Sequence, residues 1–185
     1  MDIEKKSLQK CVKGLIELVL ESEGQGLVFR ELCLRDPKLK AVRPVHFFQE
    51  YVPAKLALGC AFWVGCCSSH RIEDKDLRNF YFKEVMNLFA SPKSLENATR
   101  FSESLYASNA DPEQSPVLGV LVHLFHKLGL EAIVKPRDDD AGSLNTGFTF
   151  LMEAAEALKV VFETQFDDFV YARENFRATN ERKKV

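Results

Sequence analysis

Residues 53–68 read Pro-Ala-Lys-Leu-Ala-Leu-Gly-Cys-Ala-Phe-Trp-Val-Gly-Cys-Cys-Ser, and this stretch decides the fold. Its side chains are apolar around most of a helical circumference, which is typical of a helix enclosed by other elements. Within and just beyond this segment, the run without a formal charge extends from Leu56 to His70 and is fifteen residues long. A membrane-spanning helix needs roughly 18–20 such residues. We therefore expect a buried central helix and no membrane span.

Helical periodicity on both sides of this segment predicts further helices. Glycines mark helix ends because they suit left-handed caps, and Ser-Pro pairs mark helix starts because proline fits a first turn. The predicted elements are a helix from Leu8 that stops at Gly24 or Gly26, a short helix over 27–34, a helical turn over 44–51, the central helix over 53–68, helices over 73–89, 91–106 and 116–128, a polar connection over 135–142, and a last helix over 143–176.

These elements predict an all-α protein. We expect a single-domain bundle of about six or seven helices with a long C-terminal helix, because short loops between long helices make neighbours antiparallel. The domain comprises residues 1–177, and residues 178–185 form a charged, flexible tail. There is no repeat or linker composition that would divide the chain.

Charge and cysteine content restrict the partners and the compartment. The chain has 25 basic and 27 acidic residues, a formal net charge of −2. Nucleic-acid binding depends on a basic excess that neutralises phosphates, so nucleic acid is not an expected partner. The N-terminus lacks the apolar core of a secretory signal. Because the five cysteines are odd in number, we expect reduced thiols and a cytoplasmic protein.

Histidines and cysteines at helical spacing suggest a metal site. Cys66 and His70 are four residues apart, and His123 and His126 are three apart on another helix, so each pair shares a helix face. If the two helices meet, the four side chains would hold zinc or iron inside the bundle. No standard metal motif is present, and a solvated strip is the simpler interpretation of the histidines on the second helix.

The same region suggests a reactive thiol at Cys66 or Cys67, because a nearby His70 would lower the thiol pKa. The spacing of Cys66 and His70 resembles the second half of the Cys-x-x-Cys-x-x-x-His motif of AhpD-like helical peroxidase partners. Trp63 stands where the first cysteine of that motif would be, so the resemblance does not imply the activity. Cysteine also packs as a small hydrophobic residue, and we assign no catalytic residue.

The C-terminal helix has an aromatic stripe that suggests an interface. The helix is longer than those it packs on, so its far half is expected to project and expose apolar side chains. The interface residues are Phe162, Phe166, Phe169 and Phe176; the alternative is that they belong to the core. The leading functional hypothesis is a non-catalytic protein that acts through protein–protein association, as a homodimer through this helix.

Two further binding hypotheses follow from composition. Fifteen phenylalanines and one tryptophan fit a helical pocket for an apolar small molecule. A basic loop suggests an anion site, although such loops are usually just solvated. Its residues are Arg35, Lys38, Lys40 and Arg43.

Overall fold

The computed structural model describes residues 2–111, 113–130, 133–134 and 143–182. Within them the chain forms eight α-helices, which confirms the predicted all-α bundle. The helices are α1 (Asp2–Leu20), α2 (Ser22–Arg35), α3 (Pro44–Ser69), α4 (Lys75–Arg78), α5 (Phe80–Leu88), α6 (Leu95–Ser108), α7 (Pro116–Lys127) and α8 (Thr146–Arg182), with 3-10 helices at Pro37–Ala41 and Pro92–Ser94. Strands Ile133–Val134 and Ser143–Leu144 form an antiparallel pair. The predicted polar connection over 135–142 lies outside the described residues.

Helix α3 is the centre of the bundle and packs against α1, α5, α6, α7 and α8. The sequence predicted a turn over 44–51 and a new helix at Pro53, but α3 runs through Pro53 without a break. A proline inside a helix costs about 3 kcal/mol. Packing compensates for this cost: the rings of Phe47 and Tyr51 stack at 4.9 Å, and Phe29 of α2 lies 4.9 Å from Phe47.

The break between the first two predicted helices lies earlier than expected. Helix α1 ends four residues before Gly24, and α2 begins almost at once, so both Gly24 and Gly26 lie inside α2 rather than at a cap. The side-chain amide of Gln25 turns back and donates a 3.2 Å hydrogen bond to the carbonyl of Val19. Because this buried amide satisfies the end of α1, no glycine cap is needed.

The segment predicted as one helix over 73–89 is divided at Asn79 into the two helices α4 and α5. Asp74 caps α4 by accepting hydrogen bonds from the backbone amides of Asp76 and Leu77. The predicted start of this segment is therefore close to the observed one, and only its continuity is corrected.

Helix α8 begins later and ends later than predicted. The side chain of Asn145 caps it by accepting a 2.7 Å hydrogen bond from the amide of Gly147. The Asn145 amide also donates a 2.7 Å hydrogen bond to Asp36, just after α2, which fixes the start of α8 against the end of α2. The helix continues to Arg182, so residue 178 does not mark its end.

The aromatic residues predicted as an interface are in the core. Phe162, Phe166 and Phe169 are 0%, 0% and 5% exposed, and Trp63 of α3 lies edge-on to Phe166 at 4.8 Å. Of the two alternatives, burial supports the core position for these three residues, since side chains of α3 and α5 pack on Phe162 and Phe166. The side chain of Phe176 lies outside the part of the chain that the structure describes.

Among the described residues, α3 is the one helix long and apolar enough to cross a membrane by length and composition. Within the bundle, 61% of its most apolar 18-residue window is buried. This burial is the behaviour expected of the core helix of a globular domain.

Candidate functional site

The four predicted metal ligands do not converge. His70 lies at the C-terminal end of α3, where its Nε2 is 2.7 Å from Oδ1 of Asp167 on α8. The pKa of His123 on α7 is influenced by the charges of Glu103 and Glu50. Glu50 lies toward the N-terminal end of α3, opposite to His70. Glu50 and His70 are about 30 Å apart along the helix axis. No group of three or more metal-ligating side chains occurs among the residues described.

The predicted thiol site has the wrong electrostatics for a nucleophile. Burial and, to a smaller extent, the charge of Glu163 together raise the pKa of Cys66 to about 12. Burial also raises the pKa of Cys67 to about 11, although the Arg78 guanidinium opposes the shift. A reactive thiol needs a depressed pKa, so both cysteines behave as packing residues.

The basic loop borders an open cavity of about 450 Å³ that Lys38, Arg43 and His46 line. Arg35 turns away from it and pairs with Glu31 at 2.9 Å. Lys38 and Arg43 are exposed, so solvent and salt screen their charges. The cavity offers a diffuse positive field rather than a built site.

An apolar groove lies where α1, α2, α3 and α8 meet over Leu121 of α7, and its volume is about 250 Å³. Its floor consists of Leu58, Leu121 and Leu151, each at most 2% exposed. At its rim Leu18 of α1 is 36% exposed, and Leu158 of α8 is half-buried. The groove is thus a concave, mostly apolar surface that solvent reaches from one side.

Small residues create this groove. Helix α8 contributes Ala154, Ala155 and Ala157 to the lining, in a helix whose other core positions are mostly phenylalanine or leucine. The break between α1 and α2 places Gly24 at the rim, where nothing lies within 4 Å of a Cβ built on it. Since alanine and glycine fill little space, the four helices cannot close completely at this point.

Two polar groups of α3 enter the groove, Tyr51 and Lys55. They are four residues apart on one helix face, and the Lys55 ammonium lies 5.6 Å from the centroid of the Tyr51 ring. This is a cation–π contact. Neither the ammonium nor the Tyr51 hydroxyl has a hydrogen-bond or ion-pair partner among the described side chains.

The burial of these two groups shifts their pKa values. Burial lowers the pKa of Lys55, and the charge of Glu21 at the α1–α2 junction opposes that shift. Burial raises the pKa of Tyr51, so at neutral pH the phenol keeps its proton and remains a donor. A half-buried ammonium and a phenol donor without acceptors are complementary to an anionic or hydrogen-bond-accepting group.

The sequence contained one signal for this site that the helix periodicity did not reveal. Lys55 is the only formally charged residue between Glu50 and Arg71. A single lysine in a largely apolar central helix is costly to bury, and it therefore marks a candidate polar site. Its neighbours on α1, α2 and α8 depend on the tertiary packing and could not be read from the sequence.

Compared with known protein families, with curated proteins and with solved structures, the chain matches none.

Proposed function

We propose that this chain is a non-catalytic binding protein whose bundle holds a small apolar molecule in the groove between α1, α2, α3 and α8. The observation that carries the proposal is the accessible apolar lining: Leu18 is 36% exposed, and Val28 and Leu158 are half-buried around the opening. Apolar surface that remains accessible in a concave site gains free energy when a ligand covers it, at roughly 25 cal/mol per Å².

The groove volume sets the size of the ligand. An engineered apolar cavity of about 150 Å³ holds benzene, so the observed 250 Å³ has room for on the order of ten carbon atoms. Small ligands bind with about 0.3–1.5 kcal/mol per non-hydrogen atom, larger ones toward the lower value. For eight to ten atoms near about 0.5 kcal/mol each, the expected dissociation constant is about 0.1–1 mM.

Isothermal titration calorimetry with 1-octanol tests the proposal. We expect binding by the wild-type chain and a loss of at least about tenfold in affinity for Ala154→Phe, whose ring would occupy the groove. Ala172→Phe places the same ring at an exposed position of α8 and should bind like the wild type. Absence of 1-octanol binding, or equal binding by both variants, would contradict the proposal.

Protein association is the second candidate, and exposed leucines on α2 favour it. Leu27 and Leu34 are 66% and 69% exposed, and seven residues apart they share one helix face. If the chain forms a homodimer through this face, replacing both leucines with lysine should halve the mass measured by light scattering at tens of micromolar. Leu95→Lys, at a 70% exposed position on α6, is the matched control. If the wild-type chain is monomeric at this concentration, the homodimer hypothesis is contradicted.

We also propose a cytoplasmic location. All five cysteines are unpaired, which suits a compartment that keeps thiols reduced. Non-reducing mass spectrometry of the native protein should find five free thiols, and an intramolecular disulfide would oppose this location.

A further inference from the structure

We propose that the groove is selective for alkyl carboxylates: the tail covers the accessible apolar lining, and the carboxylate is held by the Lys55 ammonium and the Tyr51 hydroxyl. The inference rests on the proposed function, and it adds the charge and chemical class of the ligand.

The geometry of α3 supports this assignment. Tyr51 and Lys55 are one turn apart and both line the groove, so their polar ends are held on the same side of one rigid helix. Leu58 follows on the same lining, one turn further along α3. A ligand that lies along α3 would therefore meet two donors at one end and apolar side chains at the other.

The unpaired state of the two donors supports an anionic head. No described carboxylate lies within 4 Å of the Lys55 ammonium, although eight other ion pairs form elsewhere among the described residues. Tyr51 is 6% exposed and lines the groove, and no described side chain accepts a hydrogen bond from its hydroxyl. A carboxylate oxygen is an acceptor that satisfies an ammonium and a phenol together.

The charges around the groove also determine what the head cannot be. A cationic head would meet Lys55 at short range, and a neutral alcohol could accept a hydrogen bond from the ammonium but would lack the attraction between opposite charges. Glu21 is the one described carboxylate whose charge acts appreciably on Lys55. It would repel the ligand carboxylate weakly, so Glu21→Gln should increase carboxylate affinity about two- to threefold.

Three probes with the same eight-carbon chain test the inference: octanoate, 1-octanol and octylammonium, each titrated into the full chain by calorimetry. A charge-assisted hydrogen bond that is partly exposed contributes about tenfold in affinity. We expect octanoate to bind about tenfold more tightly than 1-octanol, and octylammonium to bind most weakly. Lys55→Met should abolish the preference for octanoate over 1-octanol, and a circular dichroism spectrum that matches the wild type shows that the variant is folded. Tyr51→Phe should reduce the preference about threefold.

Lys75→Met is the matched control, since it removes one positive charge from the exposed helix α4, and it should retain the wild-type preference. If octanoate binds no better than 1-octanol, or Lys55→Met keeps the preference, the carboxylate assignment is overturned while the apolar groove stands. If none of the three probes binds, the proposed function and this inference are both overturned.

Discussion

Gly59 of α3 lies directly against the ring of Tyr81 of α5: a Cβ built on Gly59 would be 2.7 Å from Cζ of Tyr81. The Tyr81 ring is fully buried and packs on Trp63 and Phe162. Because the aromatic core occupies the space above position 59, this glycine allows α3 and α5 to approach each other. Gly65, on the same helix, lies in open space, since a Cβ added there would have nothing within 4 Å.

We expect Gly59→Ala to destabilise the fold by about 1–3 kcal/mol, since the new methyl group overpacks the core. Gly65→Ala should instead stabilise it by about 0.5–1 kcal/mol, because alanine favours the helix over glycine. Urea unfolding followed by circular dichroism measures both values. Equal effects of the two substitutions would show that α3 and α5 do not approach each other closely at position 59.

Phe166 provides a test of the corrected position of the aromatic stripe. Its ring is fully buried against Trp63 and His70, so Phe166→Ala should lower the free energy of unfolding by about 3–5 kcal/mol. Tyr171→Ala, at a 70% exposed position of the same helix, should change it by less than about 0.5 kcal/mol. Denaturant titration separates the two. A Phe166→Ala variant that keeps its stability but loses a dimer would restore the interface hypothesis.

The thiols of Cys60, Cys66 and Cys67 should resist alkylation in the native protein. All three are buried, and burial raises the pKa of Cys60 to about 12. Cys33 is partly exposed and should be modified first. Iodoacetamide treatment at pH 8, followed by peptide mass spectrometry, gives the order. Rapid native modification of Cys66 would revive the thiol-enzyme hypothesis; complete modification of all five cysteines in denaturant is the control.

His123 should make stability decrease in mild acid. Burial lowers its pKa below the ordinary 6.5, and Lys127 adds to that shift. The unfolded chain therefore binds the proton more strongly, and stability is lost as pH falls from above 6.5 through the folded-state pKa. The depressed pKa of Glu103 acts at lower pH, below its ordinary 4.5.

Thermal melts at pH 7.5, 6.5 and 5.5 measure this effect. His123→Gln should show a smaller decrease in melting temperature across the series than the wild type. His126→Gln removes an exposed histidine from the same helix and should follow the wild-type decrease. If His123→Gln keeps the full decrease, another group is responsible for it.

The sequence predicted the helical class and most helix starts, because periodicity, Ser-Pro pairs and apolar composition act locally. It did not predict that α3 continues through Pro53, since ring packing between α2 and α3 compensates for the proline. It also placed the break after α1 at a glycine, although Gln25 ends that helix through a side-chain hydrogen bond.

The candidate site was less accessible to sequence analysis than the fold. Composition allowed an apolar pocket, but its position depends on Ala154 and Ala155 of α8 lying opposite Tyr51 and Lys55 of α3, nearly one hundred residues earlier. The aromatic stripe of α8 was visible as a pattern, yet an amphipathic pattern alone does not distinguish a core face from a partner surface. Burial decided between them.

The central claim is that the apolar ligand lies in the groove between α1, α2, α3 and α8, and methyl NMR spectra with and without saturating 1-octanol test it most directly. The methyl signals of Leu18, Leu58 and Leu158 should shift, and those of Val64 and Leu105, which line a different cavity, should not. Shifts confined to Val64 and Leu105, or no shifts in any methyl group, would contradict the account.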